Sequence, residues 1–348
     1  KVVDRNADFV RGDRTLHLDA PRLRRAGVRA QLFACFVLSE RYPGCEVERV
    51  ETLLDGLEAM IRATDGMFCI ARSANDLREA FAGGPAAAIV GLEGADPLEG
   101  RAENLHRYVE RGVRDVIFAW KDNPFAGTAF GRNTGLTREG QRLLGLCEDL
   151  GVMVDVSHLS DAAFADVCLQ ASKPFIASHS NCRSLCPSSR NLSDPMIRAL
   201  ADGGGVMGIN LSTSFLCPET LPAWEQVRRR LADEHLDWRA REAAAAAIAP
   251  SVPRPPFDWI VRHILHAIDV GGEEVVGLGG DLDGILHLPN GVEGVEDYPS
   301  IEAALRMSGL SDAQTTKVCY GNFVRVFEEN LPGEVRVHRS NSGSRALR

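Results

Sequence analysis

The 348-residue chain contains no run of about 18 consecutive apolar residues, the length a membrane-spanning helix requires. No basic, apolar-cored signal pattern opens it either. Its nine cysteines (Cys35, Cys45, Cys69, Cys147, Cys168, Cys182, Cys186, Cys217 and Cys319) form no C-x-x-C pair, and their number is odd. That spacing excludes a zinc ribbon and a disulfide framework. They read as small hydrophobes, kept reduced in a cytoplasmic setting. Positive charge is also short: 39 basic residues against 48 acidic ones leave a formal charge of −9. Without a basic surplus to neutralise phosphates, nucleic acid is not the expected partner. Repeats and low-complexity tracts are missing apart from five alanines at 243–247. What remains, 45% hydrophobic and 25% charged residues, is the composition of a globular protein that buries a core.

Short apolar runs recur at 28–37, 87–92, 115–120, 152–156, 174–177, 205–211 and 274–278. Between them the spacing turns helical, most clearly at 139–150, 161–170 and 194–201. Continuous apolar strands alternating with helices predict βαβ units and a parallel sheet. Ser160 and Ser193 suit helix N-termini, and Gly151 suits a helix end. The alternation fills residues 1–332 as a single domain, interrupted at about 218–256 by a charged, alanine-rich and proline-bounded stretch. That stretch predicts a helical insertion, either a lid over one mouth of the domain or a solvated excursion. Residues 333–348 are polar and basic and predict a loosely ordered tail.

Four apolar runs end directly in groups able to bind metal. The first ends at Glu93, the next at Ser157-His158, a third at Ser178-His179-Ser180 and the last at Asp281-Leu282-Asp283-Gly284. In a β/α barrel the C-terminal strand ends converge on one rim, so these side chains, far apart in sequence, would meet there. Carboxylate and imidazole together suit Zn²⁺, which in a catalytic site keeps one position open for water. A single histidine after a strand is more often structural, and Asp-Leu-Asp-Gly alone could be a turn; four such events on strand ends favour a metal site. His17, His106, His235, His263, His266, His287 and His338 fall on helix or loop patterns and read as structural or surface groups.

The segments GVMVDVSHLS, PFIASHSNCRSLCPSSRNLSD and VVGLGGDLDGI resemble the renal (membrane) dipeptidase family of zinc peptidases. HLDAPRLRRAGVRAQLFACFV, VGLEG, NTGLTREG and YGNFVRVFE add to the likeness, which spans about residues 17–328. The resemblance implies an amidohydrolase-type (β/α)8 TIM barrel that cleaves dipeptides with two Zn²⁺ ions and a hydroxide held between them. It places Glu93 as the carboxylate bridging both ions, and His158 and His179 as ligands of the second. Arg190 takes the place of the cation that receives the substrate's terminal carboxylate, a role its forked guanidinium suits. Asp281 matches the proton carrier, with Asp283 a structural acid beside it. The family is commonly dimeric, so a homodimer is a possible partner state.

Two departures stand out. Trp120 occupies a position where animal members carry a histidine that helps stabilise the oxyanion; an indole N–H donates one hydrogen bond but brings no charge. The family's first strand ends in His-x-Asp and precedes the segment matched here, so that strand and ligand pair are expected upstream of Lys1. His17-Leu18-Asp19 fits by letter, but it follows the charged RGDR rather than an apolar strand and does not read as the ligand pair. Other amidohydrolase activities, on N-acyl amino acids or lactones, and a metal-poor inactive binding homologue remain the alternatives.

Overall fold

The computed structural model describes residues 2–233 and 235–333. The expected polar tail lies outside them from residue 334 onward, and His338 with it. Eight strands are present: β1 (Ala30–Phe36), β2 (Phe68–Ile70), β3 (Ala86–Glu93), β4 (Val113–Ile117), β5 (Met153–Asp155), β6 (Ile176–Ala177), β7 (Val206–Asn210) and β8 (Val276–Gly280). All pair in parallel in the order β1-β3-β4-β5-β6-β7-β8. The three-residue β2, too short to show as an apolar run, lies against the start of β3 instead of extending the path. Seven strands therefore follow one another, and they correspond to the seven apolar runs. The expected eighth rung of the barrel is not among the described residues, and within these β8 and β1 share no ladder.

The inner strands of the parallel sheet are buried on both faces, although β4 carries Arg114 and Asp115 among its buried residues. Residues 86–92 of β3 and all of β4 and β7 are buried, which requires helices outside and packed side chains within. The helix Arg138–Leu150 starts where the Thr137 hydroxyl accepts the Gly140 N–H, and it stops at Gly151 in the left-handed region. It turns Leu143, Leu144 and Cys147 to the sheet. The helix Asp161–Gln170 begins at Ser160, whose hydroxyl accepts the Ala163 N–H. Fully buried aliphatic side chains of this kind stabilise the fold by about 1.5–3 kcal/mol each.

The insertion is not one helix. It forms a hairpin of two, Leu221–Leu231 and Trp238–Ile248. Asp237 breaks the run: its carboxylate accepts the Ala240 N–H at 2.9 Å and restarts the helix. Folding back lets Trp224, Val227, Ala245 and Val252 form a small core of their own. Trp224 Nε1 ties the hairpin to the barrel by donating to Thr213 Oγ1 at 2.8 Å. Among the described residues no helix is long and apolar enough to cross a membrane.

Candidate metal centre

The path curls enough to bring the ends of β3, β5 and β6 together. His158 Nε2 lies 3.1 Å from Glu93 Oε1, His179 Nε2 lies 3.7 Å from the same oxygen, and the two imidazole nitrogens are 3.0 Å apart. One donor atom from each of the three residues falls within 4.8 Å of the others. Their side chains keep 15, 13 and 10% of their surface exposed, so the cluster is sunk in the barrel but reachable. It opens into a cavity of about 930 Å³ whose wall also carries Trp120, Asp281, Asp283 and Tyr298.

Local backbone explains how these atoms are aimed. Asp281, directly after β8, and His158, three residues beyond β5, adopt left-handed conformations, φ 57° and 71°. Such strain in non-glycine residues persists only where surroundings impose it, and it collects at functional sites. On β6 the strand itself does little, because it has only two residues and shares one residue pair with β5. Asp155 takes over: its Oδ1 accepts the N–H of Ser157 at 2.8 Å and of Ser178 at 3.0 Å, stitching the two strand ends together. The His179 N–H then donates to Ser157 Oγ at 3.1 Å. On the far side, a Cβ added at Gly208 or Gly279 would stand 2.1 or 2.2 Å from the Ser178 carbonyl oxygen, so only glycine permits β7 and β8 to approach β6 this closely.

Burial sets the electrostatics. It pushes the Glu93 carboxyl up to about 7, against the pull of Arg190. Burial, then the Glu93 charge, lifts Asp281 to about 7 as well, while the Asn210 hydrogen bond and Arg190 act in the opposite direction. Both imidazoles are held well below their usual range, first by burial and then by the Arg190 charge. They are neutral at physiological pH, the state in which nitrogen donates a lone pair. Two neutral imidazoles and a carboxylate form a donor set suited to Zn²⁺, with a coordination position left open. The residues present therefore fit a bound metal.

Arg190 is buried, 3% exposed. Its Nη1 donates to Ser180 Oγ at 2.9 Å, its Cζ sits 5.9 Å from the Phe215 ring centroid, and its Nε and Nη2 have no partner. Burial lowers its pKa to about 10, which leaves it charged at neutral pH. Asp281 accepts from Asn210 Nδ2 at 2.9 Å. Asp283 Oδ1 accepts the His17 N–H and the Asp283 N–H donates to His17 Nδ1, both at 3.0 Å. Asp19 caps the helix Ala20–Arg25 and pairs with Arg22 at 2.7 Å, so His17-Leu18-Asp19 is a loop anchor rather than a ligand pair. Trp120 stands at the mouth, its ring 5.8 Å from His158 and 5.0 Å from Phe36. Sequence reasoning misses Asp155 and Asn210. Each is a polar residue closing an apolar strand, the same signal that marks Glu93.

Comparison with known proteins gives the family. The family model for membrane dipeptidases (peptidase family M19) matches residues 2–336. An uncharacterised protein from the pqqA 5′ region of Klebsiella pneumoniae is 30% identical over 294 residues, covering 82% of this chain and 97% of that one. The crystal structure of a family M19 dipeptidase superposes with a TM-score of 0.80 at 28% identity, covering 96% of both chains. A Rhodobacter sphaeroides metallopeptidase, bound to a phosphinate mimic of the dipeptide L-Ala-D-Ala, superposes at 0.79 with 27% identity, covering 94% of this chain and 95% of that one. With a parallel β/α barrel of matching extent and a carboxylate–imidazole cluster at its strand ends, the chain belongs to the membrane dipeptidase family of metallopeptidases, family M19.

Proposed function

We propose that the chain is a zinc-dependent dipeptidase in which Glu93, His158 and His179 hold the metal, Arg190 receives the substrate's free carboxylate and Asp281 carries the proton. The observation behind this reading is the convergence of three donor atoms from separate strand ends within 4.8 Å. Glu93 Oε1 faces both imidazoles, and the carboxylate would be shared between the two zinc ions expected. Zinc in this site supplies Lewis acidity, polarising the scissile carbonyl and lowering the pKa of water.

The chain's own groups do the rest. Asp281, with a pKa near 7, takes a proton from water and returns it to the departing amine nitrogen. Asn210 holds one oxygen of that carboxylate during the exchange. Arg190 is buried with two unpartnered nitrogens, and an unpaired buried cation is costly. A substrate carboxylate relieves that cost and selects dipeptides over longer chains. Nine free cysteines match a reducing, cytoplasmic setting.

The test joins metal analysis with a substrate panel. Zinc-loaded protein is expected to cleave dipeptides, L-Ala-D-Ala being the first to try after the related Rhodobacter complex, and to leave N-acyl amino acids and lactones untouched. Asp281→Ala is expected to lower kcat by about 10²–10⁴-fold. Arg190→Ala is expected mainly to raise KM, by roughly 10–100-fold for a lost charged hydrogen bond. Full activity of Asp281→Ala, or N-acyl substrates preferred over dipeptides, would refute the proposal.

A further inference from the structure

His179 is flanked by two serines whose side chains go opposite ways. Ser178 Oγ lies 2.7 Å from His179 Nδ1, and Ser180 Oγ accepts from Arg190 Nη1 at 2.9 Å. All three residues are buried, at 8, 8 and 1% exposure for Ser178, His179 and Ser180. A histidine that binds metal through Nε2 carries its ring proton on Nδ1, so Ser178 Oγ accepts that proton's hydrogen bond. The Ser178 hydroxyl proton is left to point at Ser157 Oγ, 3.4 Å away. Ser178 is itself fixed by its N–H bond to Asp155, and Ser180 by its N–H bond to the Gly208 carbonyl at 2.7 Å. Both hydroxyls are thus mounted on restrained backbone and cannot drift.

We infer that Ser178 and Ser180 are positioning residues with separate duties: Ser178 sets the tautomer and ring angle of His179 for the metal, and Ser180 holds the Arg190 guanidinium for the substrate carboxylate. The inference rests on the functional reading above and refines it. One three-residue turn then couples the metal half of the site to the carboxylate half. Partners that orient a ligating histidine change metal affinity by about 10–100-fold when removed. A hydroxyl that only steadies the guanidinium changes substrate binding and leaves the metal alone.

The experiment compares Ser178→Ala, Ser178→Thr and Ser180→Ala with the unaltered protein. Zinc affinity is measured by competition with a chromophoric chelator, the visible spectrum of the Co²⁺ form is recorded, and KM and kcat for a dipeptide are taken at saturating zinc. Ser178→Ala should bind zinc about 10–100-fold more weakly and shift the cobalt bands, with KM unchanged. Ser178→Thr, which keeps the hydroxyl, should restore both metal readouts. Ser180→Ala should keep zinc affinity and cobalt spectrum while KM rises about tenfold, the range of one charged hydrogen bond. Wild-type zinc affinity in Ser178→Ala overturns the inference, and so does a parallel loss of metal affinity and substrate binding in both alanine variants, which would mark a merely structural role. An unaltered protein that takes up no zinc overturns the functional reading itself, and this inference with it.

Discussion

Two strands deliver the proposed ligands Glu93 and His179 to the same point by different means. β3 has eight residues and pairs with β1 over its last seven, from Ala87 to Glu93, so the ladder alone decides where Glu93 ends. β6 has two residues, with one pair to β5 and two to β7. There the Asp155 carboxylate and the hydroxyls of Ser157 and Ser178 do what ladder bonds do on β3. A long strand separates position from chemistry, because the backbone places the ligand and the side chain is free to bind. In a short strand the same side-chain network serves both ends. Damage near β6 should therefore strike stability and metal binding together, and damage at Glu93 should strike metal binding alone.

The largest effect tests the β6 side. Asp155→Ala orphans two buried N–H groups at about 1–3 kcal/mol each and releases both histidine-bearing strand ends. Urea melts of metal-free protein should show that loss, and zinc affinity should fall with it. An unchanged melt would break the comparison. The β3 side comes next. Glu93→Gln removes one of the three proposed ligands and should weaken zinc binding by roughly a hundredfold or more, taking one ligand's share of a structural zinc's binding energy. Metal-free stability should stay level or rise, because a neutral amide carries no buried charge. A melt lowered as far as that of Asp155→Ala would erase the distinction.

The smallest effect is a pH dependence that separates the two ligand types. In the proposed site the metal binds ionised Glu93, whose pKa in the metal-free fold is about 7. Below that pH a proton must leave for the metal to enter, so the zinc Kd should rise about tenfold per pH unit as pH falls below 7. The imidazoles, held well below 6.5, stay neutral at pH 6 and add nothing there. A slope of one proton in calorimetry between pH 6 and 7 assigns the dependence to the carboxylate. A second proton would come from Asp281, whose carboxyl is also lifted to about 7, more than two would bring in the histidines, and a flat profile would remove Glu93 from the metal.

Much of the fold is legible in the sequence, for local reasons. The helix at 161–170 is found where its spacing and the Ser160 cap place it. All seven apolar runs contain strands, although the run at 115–120 corresponds to a strand at Val113–Ile117, its later residues having left the ladder. The insertion reads as one helix because its composition is uniformly helix-forming. Its break at Asp237 depends on Trp224 and Ala245 finding each other, a contact outside any local window. Asp155 closes β5 as Glu93 closes β3, but nothing nearby shows that its partner strand is too short to hold itself.

Periodicity and the positions of polar residues at the ends of apolar runs settle which side chains a barrel rim could present: Glu93, His158, His179 and Asp281. Those signals are carried by neighbouring residues and need no third dimension. Tertiary structure alone decides that Nε2 of His158 meets Nε2 of His179 at 3.0 Å, that Arg190 is buried with two nitrogens unanswered, and that Asp283 bonds to His17 from the far end of the sequence. Distances between strand ends follow from sheet order, curl and burial, which are properties of the whole chain packed at once.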